Sequence, residues 1–341
     1  MNIKRFFAVF KARNIEFFRD KSSLGWNLFF PVLLLMGFSL IFSGGERAAY
    51  KVGWLVEAKG GVTQQKVEMI FSDTRFIDFI NYENIDIAKG KLSRHAIDLI
   101  IVHHSKSYWV NDESAKSYLV EKIFSDKLKG YTRFQTTGKK IRYIDWVLPG
   151  VLGMNMMFSS LFGVGYVIVR YRKNAVLKRL KATPLSAFEF VSAQLFSRLF
   201  IVMFTSVIVY SGCNLFFDFF MLGSYFDLVV IGGLGAFSLI SLGLLVASRS
   251  KSDELIGGLL NVTSWPMMML SGVWFSLEGA PPALQAFADF LPLTHLVAGA
   301  REVITEGATL VDISYHVNCL LLMSALFLSL GAYLFSWNAE R

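Results

Sequence analysis

"RYRKNAVLKRLKATPLSAFEF", residues 170–190, joins two long apolar runs, and its charges and helix punctuation decide how the chain is read. Six bases fall between positions 170 and 181: Arg170, Arg172, Lys173, Lys178, Arg179 and Lys181. Asn174 to Ala182 is rich in helix formers, with Val176, Leu177 and Leu180 toward one side and Lys178, Arg179 and Lys181 around the other. Pro184 disfavours helical geometry at Thr183 and closes this helix. Ser186, with Glu189 three residues on, forms a capping box for the next one. The stretch therefore encodes a short amphipathic helix, a sharp turn and a long helix entering an apolar run. On the residues alone, the short helix either docks in a partner's groove or rests on lipid headgroups.

The flanking runs place this elbow at a membrane. Of 341 residues, 54% are hydrophobic, against about 45–50% in soluble domains. The excess falls in blocks of about 20 residues, enough to cross a bilayer core. The first, 24–43, reads "LGWNLFFPVLLLMGFSLIFS". It is longer than a signal-peptide core, and about 20 residues precede it, so a retained span is expected. Five more are expected at about 147–169, 191–217, 226–247, 255–276 and 316–337. Pro31 and Pro266 can kink their helices. The glycines of "GGLGAFSLISLGLLVAS" (232–248) permit close helix approach, for internal packing or a subunit seam. Met267 to Met269 and Trp274 either line an apolar path or face lipid.

Basic residues set the orientation. Lys4, Arg5, Lys11, Arg13, Arg19 and Lys21 precede the first span, six bases crowd 170–181, and Arg249 and Lys251 fill a later connection. Residues 218–225 hold no base, and 277–315 hold only Arg301. Six spans with both termini cytoplasmic follow from the positive-inside rule. Phe6, Phe7, Phe10, Phe17 and Phe18 alternate with bases, so residues 3–21 predict an amphipathic interface helix. Arg198 either snorkels to the inner interface or is a functional charge within the membrane.

Residues 44–145 are the one long polar stretch, and lie outside in this topology. "YKVGWLV" (50–56), "RFIDFI" (75–80), "AIDLIIVHH" (96–104) and "SYWV" (107–110) read as strands. Residues 61–72, 84–93 and 113–128 read as helices, giving a small α/β unit. The fold expected is an all-α polytopic membrane protein carrying this unit between spans one and two. Its parts are an interface helix (1–23), a first span (24–43), the external domain (44–145) and a five-helix membrane domain (146–341). The last carries the elbow at 171–186 and re-entrant or interfacial helices near 281–302 on the outer face.

Several chemistries lack their residues. Gly90-Lys91 and Gly138-Lys139 lack the glycine spacing of a phosphate-binding loop, and neither lysine precedes Ser or Thr. No HExxH occurs, and His103-His104, adjacent on a strand, point to opposite faces. No G-x-S-x-G elbow occurs. Cys213 and Cys319 lie in apolar blocks and act as small packing residues. No metal, no catalytic residue and no nucleic-acid partner is expected; the net charge of +8 flanks membrane blocks instead.

The order of these elements resembles the membrane subunit of ABC-2 type ABC exporters, in the subfamily with a large extracytoplasmic domain after the first span. "LKRLKATPLSAFEF" is similar to that family's cytoplasmic segment after the second span. "DIAKGKLSRHAIDLIIV" resembles the external domain, and "PPALQAFADFLPLTHLVAGARE" (281–302) the segment before the last span. The resemblance covers nearly the whole chain. It implies a permease of the bacterial cytoplasmic (inner) membrane, driven by cytoplasmic ATPase subunits that bind ATP and Mg, and paired with a second copy or a paralogue. Periplasmic or outer-envelope components can join such assemblies. The ATPase-coupling residues would be Val176, Leu177, Lys178, Arg179, Leu180, Lys181, Thr183, Pro184, Ser186 and Glu189. Glu278, His295, Arg301 and Glu302 would stand near the outer face with Asp289. A membrane-anchored sensor or assembly factor, binding a partner through 44–145, is the competing class.

Overall fold

The computed structural model describes residues 3–42, 50–55, 77–82, 84–138, 142–250, 252–277 and 281–335. The chain divides into two units, residues 1–41 with 143–341, and residues 42–142. The first unit opens with α1 (Ile3–Arg19) and α2 (Lys21–Phe42). The second holds β1 (Tyr50–Leu55), β2 (Ile77–Tyr82), α3 (Ile85–Ser93), β3 (Leu99–Val102), β4 (Ser107–Asn111), α4 (Ala115–Ile123) and β5 (Thr132–Thr136). The chain then returns to the first unit with α5 (Tyr143–Lys173), α6 (Val176–Lys181), α7 (Ala187–Phe217) and α8 (Tyr225–Ala247). It ends with α9 (Asp253–Leu270), α10 (Pro282–Ala288), α11 (Pro292–Arg301), a π-helical turn (Glu302–Glu306) and α12 (Ser314–Leu334).

Among the described residues, five helices are long and apolar enough to cross a bilayer: α2, α5, α7, α8 and α12. The chain is a multi-pass membrane protein. The span expected near 255–276 is not among them: α9 there covers Asp253–Leu270, 18 residues or about 27 Å. Asp253 and Glu254 occupy its first turn, where the helix dipole favours them but where they take up apolar length. α5 is the inner helix, with 72% of its apolar window buried, against 11% for α2 and 17% for α12. A Cβ on Gly243 of α8 would stand 3.2 Å from the Leu161 backbone of α5. That glycine serves internal packing. Leu161, Leu239, Leu244, Leu260 and Leu296 join four helices in one core. Met267 and Met268 lie in it too, whereas Met269 is exposed.

Among the described residues of the second unit, the sheet runs β2-β1-β3-β4-β5. β1 pairs in parallel with β2 and β3, β3 antiparallel with β4, and β4 in parallel with β5. Side chains alternate between faces. Leu99 and Ile101 meet Val120 and Phe124 on the α4 side, and Ile100 and Val102 meet Ala88 and Leu92 on the α3 side. Asn84 and Ser114 cap the two helices. β3 is shorter than the 96–104 reading: 96–98 bend after the left-handed His95 (φ 58), and 103–104 belong to the turn into β4. β5 has no counterpart in the sequence reading: "TRFQT" is largely exposed and carries one large apolar residue. The helix expected at 61–72 lies outside the described residues.

Candidate functional site

The elbow begins at Ala175, whose φ of 54° turns the chain out of α5. In α6, Leu177 is buried and Val176 and Leu180 are half-buried, while Lys178, Arg179 and Lys181 are exposed. Thr183, Pro184 and Ser186 are exposed as well. Ser186 Oγ accepts from the Glu189 N–H, and the Glu189 carboxylate accepts from the Ser186 N–H, each at 3.1 Å. This reciprocal cap starts α7 immediately after the turn. Ser186→Ala is expected to lower stability by about 1 kcal/mol, and Ser186→Asp to retain it; thermal unfolding of the purified protein checks both.

Three ties bind the elbow to the rest of its unit. The Arg5 guanidinium of α1 donates to the Pro184 carbonyl. The buried Arg172 donates to the carbonyls of Ala247 (3.3 Å), Ser248 (3.0 Å) and Ser250 at the end of α8. These carbonyls lie at the helix end, where the Ala247 carbonyl also accepts from the Ser250 N–H at 3.3 Å, and a guanidinium fork suits them. Lys173 pairs with Asp253 at 2.6 Å, reaching the start of α9. In the sequence Arg172 is one of the positive-inside bases, and nothing in its spacing singles it out.

α1 lies along α7. Phe6, Phe10 and Phe18 meet Phe196, Phe200 and Phe204, with ring centroids 5.7–6.2 Å apart. Beneath α1 is a polar cluster. Arg13 donates through Nε to Gln194 (2.8 Å) and through Nη1 to Glu16 (2.5 Å) and Tyr171 (3.1 Å). The Tyr171 hydroxyl donates to Glu16 at 2.6 Å. Burial pushes the Glu16 carboxyl up, but the bonds from Tyr171 and Arg13 outweigh it and hold the group below its ordinary range. Deeper in, Arg198 is 7% exposed and donates to the Ser159 carbonyl and, at 2.8 Å, to its hydroxyl. Its guanidinium also lies 5.6 Å from the ring of Phe17 on α1.

Of the residues expected at the outer face, His295, Asp289 and Glu302 are joined through His316, and Arg301 is set apart. His295 is fully buried. Its Nε2 lies 2.8 Å from the Asp289 carbonyl and its Nδ1 3.0 Å from Nδ1 of His316. Burial holds the His295 imidazole below its ordinary pKa, hence neutral. Its single N–H must serve the carbonyl, so Nδ1 accepts and His316 donates. Nε2 of His316 then faces Glu302 at 3.4 Å. Arg301 turns away, 4.0 Å above the Trp146 ring and bonded at 2.8 Å to the Gly272 carbonyl. Glu278 lies outside the described residues. His316, 21 residues beyond His295, had no sequence signal as its partner. Among the described residues no group of three or more His, Cys, Asp and Glu could hold a metal.

Comparison with known proteins agrees with this architecture. The chain is 25% identical over 181 residues to the linearmycin resistance permease protein LnrN of Bacillus subtilis (strain 168), covering 52% of this chain and 47% of that protein. It is 24% identical over 163 residues to the inner membrane transport permease YhhJ of Escherichia coli (strain K12), covering 45% and 41%. It is 22% identical over 195 residues to the probable multidrug ABC transporter permease YbhS of the same strain, covering 56% and 48%. The chain spans about half the length of these curated relatives. The family model described as ABC-2 type transporter matches residues 97–305, more than half of the sequence. The chain belongs to the ABC-2 type transporter family.

Proposed function

We propose that this chain is the permease subunit of an ATP-driven exporter in the cytoplasmic (inner) membrane, with ATP and Mg bound by separate ATPase subunits. Six spans, α9 completing the set, leave both termini and the elbow on the cytoplasmic side and residues 44–145 outside. A second copy or a paralogue completes the path. The names of two relatives, linearmycin resistance and multidrug transport, favour outward movement.

The observation that carries this reading is the shape of the elbow. Leu177 roots α6 in the core while Lys178, Arg179 and Lys181 stand free toward solvent. A partner pressing on that exposed face moves α1 through Arg5, α7 through its cap and the α8 end through Arg172. Thr183 and Pro184 form the turn between the pressed helix and α7. A helix resting on headgroups needs basic charge but none of these ties.

The test is charge reversal. Lys178→Glu with Arg179→Glu is expected to weaken recovery of the ATPase subunit by roughly tenfold in a pull-down, since like charges now face each other across the contact. Membrane insertion is expected to be unchanged, as both side chains are exposed. Full ATPase recovery with the doubly reversed chain would show that coupling enters elsewhere.

A further inference from the structure

The polar cluster beneath α1 opens into a cavity of about 660 Å³ between α1, α2, α5 and α7. One wall is aromatic: Trp26 and Phe30 of α2 stack at 5.3 Å, facing Phe158 and Phe162 of α5. The other wall is charged, with Arg170 at the rim and Arg198 inside. An aromatic wall beside a cationic one matches an amphiphile, with a tail for the rings and a head for the guanidiniums.

The hydrogen bonding decides the sign of that head. Both carboxylates lining the cavity are already engaged. Glu16 takes bonds from Arg13 and Tyr171 and lies 3.8 Å from Arg170. Asp20 accepts from the Ser23 hydroxyl at 2.6 Å and its N–H at 3.1 Å. Arg198 differs. It has no carboxylate within ion-pair distance among the described residues, and its buried Nε has no hydrogen-bond partner there. Burying a guanidinium N–H without an acceptor is costly. A phosphate or carboxylate oxygen entering the cavity supplies both the acceptor and the charge.

We infer that this cavity binds an anionic amphiphile, an acidic phospholipid of the surrounding leaflet, with its headgroup on Arg198 and Arg170 and its acyl chain along Trp26 and Phe162. The site does not depend on how the ATPase docks, and it stands whether the lipid is cargo or a resident of the fold.

Trp26 supplies the reporter, as it lines the cavity and is 66% exposed. The full chain is reconstituted in nanodiscs of phosphatidylcholine with a small fraction of lipid brominated along one acyl chain. Quenching is read as the difference between wild type and Trp26→Phe. Brominated phosphatidylglycerol is expected to quench Trp26 at roughly tenfold lower lipid fraction than brominated phosphatidylcholine, whose phosphate can accept the same bond but whose choline cation repels the cavity's guanidiniums. Arg198→Gln should erase that preference. Arg170→Gln, at an exposed position that does not threaten folding, should reduce it. Inorganic phosphate should leave it intact, since it offers the rings no chain. Equal quenching by the two lipids, a preference that survives Arg198→Gln, or its abolition by phosphate would overturn the assignment.

Discussion

Arg172→Gln is expected to destabilise the protein by about 3 kcal/mol or more, lowering its thermal midpoint by several degrees. The guanidinium spans the carbonyls of Ala247, Ser248 and Ser250, and the side chain is 5% exposed. Removing it leaves the Ser248 and Ser250 carbonyls without their donor, while the Ala247 carbonyl keeps the Ser250 N–H, each loss costing about 1–3 kcal/mol when buried. Arg172→Lys should recover only part of the loss, because one ammonium cannot reach three diverging carbonyls. Lys173→Ala, which breaks an exposed pair with Asp253, should change little, since solvent screens such pairs. The measurement is thermal unfolding of the four purified proteins in one detergent. Equal midpoints for Arg172→Gln and wild type would show that the α8 end is held by other contacts. The same substitution bears on coupling. It frees α5 from α8 just above the elbow, so ATP hydrolysis in the reconstituted complex should lose its dependence on the permease while ATPase recovery stays normal.

What the sequence made legible follows from how local each signal is. The elbow was readable because its parts are neighbours: Pro184 acts on Thr183, and Ser186 caps through Glu189 three residues away. The long helices were readable because a bilayer demands continuous apolar length, which composition reveals directly. α9 fell near the limit because its acidic first turn takes up part of that length. β5 escaped because an exposed strand has no apolar alternation to show. The contacts of the site were the least legible. Arg13 with Gln194 and Arg172 with Ser248 are separated by 181 and 76 positions, and no local pattern connects such pairs. A sequence reveals that a membrane arginine needs partners; only the fold shows that Arg198 finds them at Ser159.

Gly163→Leu is expected to cost about 3 kcal/mol, and the reason lies in the notch that holds Arg198. Ser159 and Gly163 are one turn apart on α5, so they present a donor-acceptor group and an empty space on one face. The Arg198 guanidinium occupies the space and bonds to the group. A Cβ built on Gly163 would coincide with that guanidinium. The arginine head is flexible, yet leaving the notch breaks its bonds to Ser159, and a leucine overpacks what remains. The cause can be isolated by a double-mutant cycle. Arg198→Ala alone should destabilise by removing the buried bonds and packing. Combined with Gly163→Leu, it vacates the space the leucine needs, so the double variant should be more stable than the sum of the single losses by about 1 kcal/mol or more. Strict additivity in thermal unfolding would mean that the two side chains do not compete, and that the guanidinium sits elsewhere in the membrane unit. A coupled pair would place the buried Arg198 cation between α5 and α7, where its Nε–H meets no acceptor among the described residues.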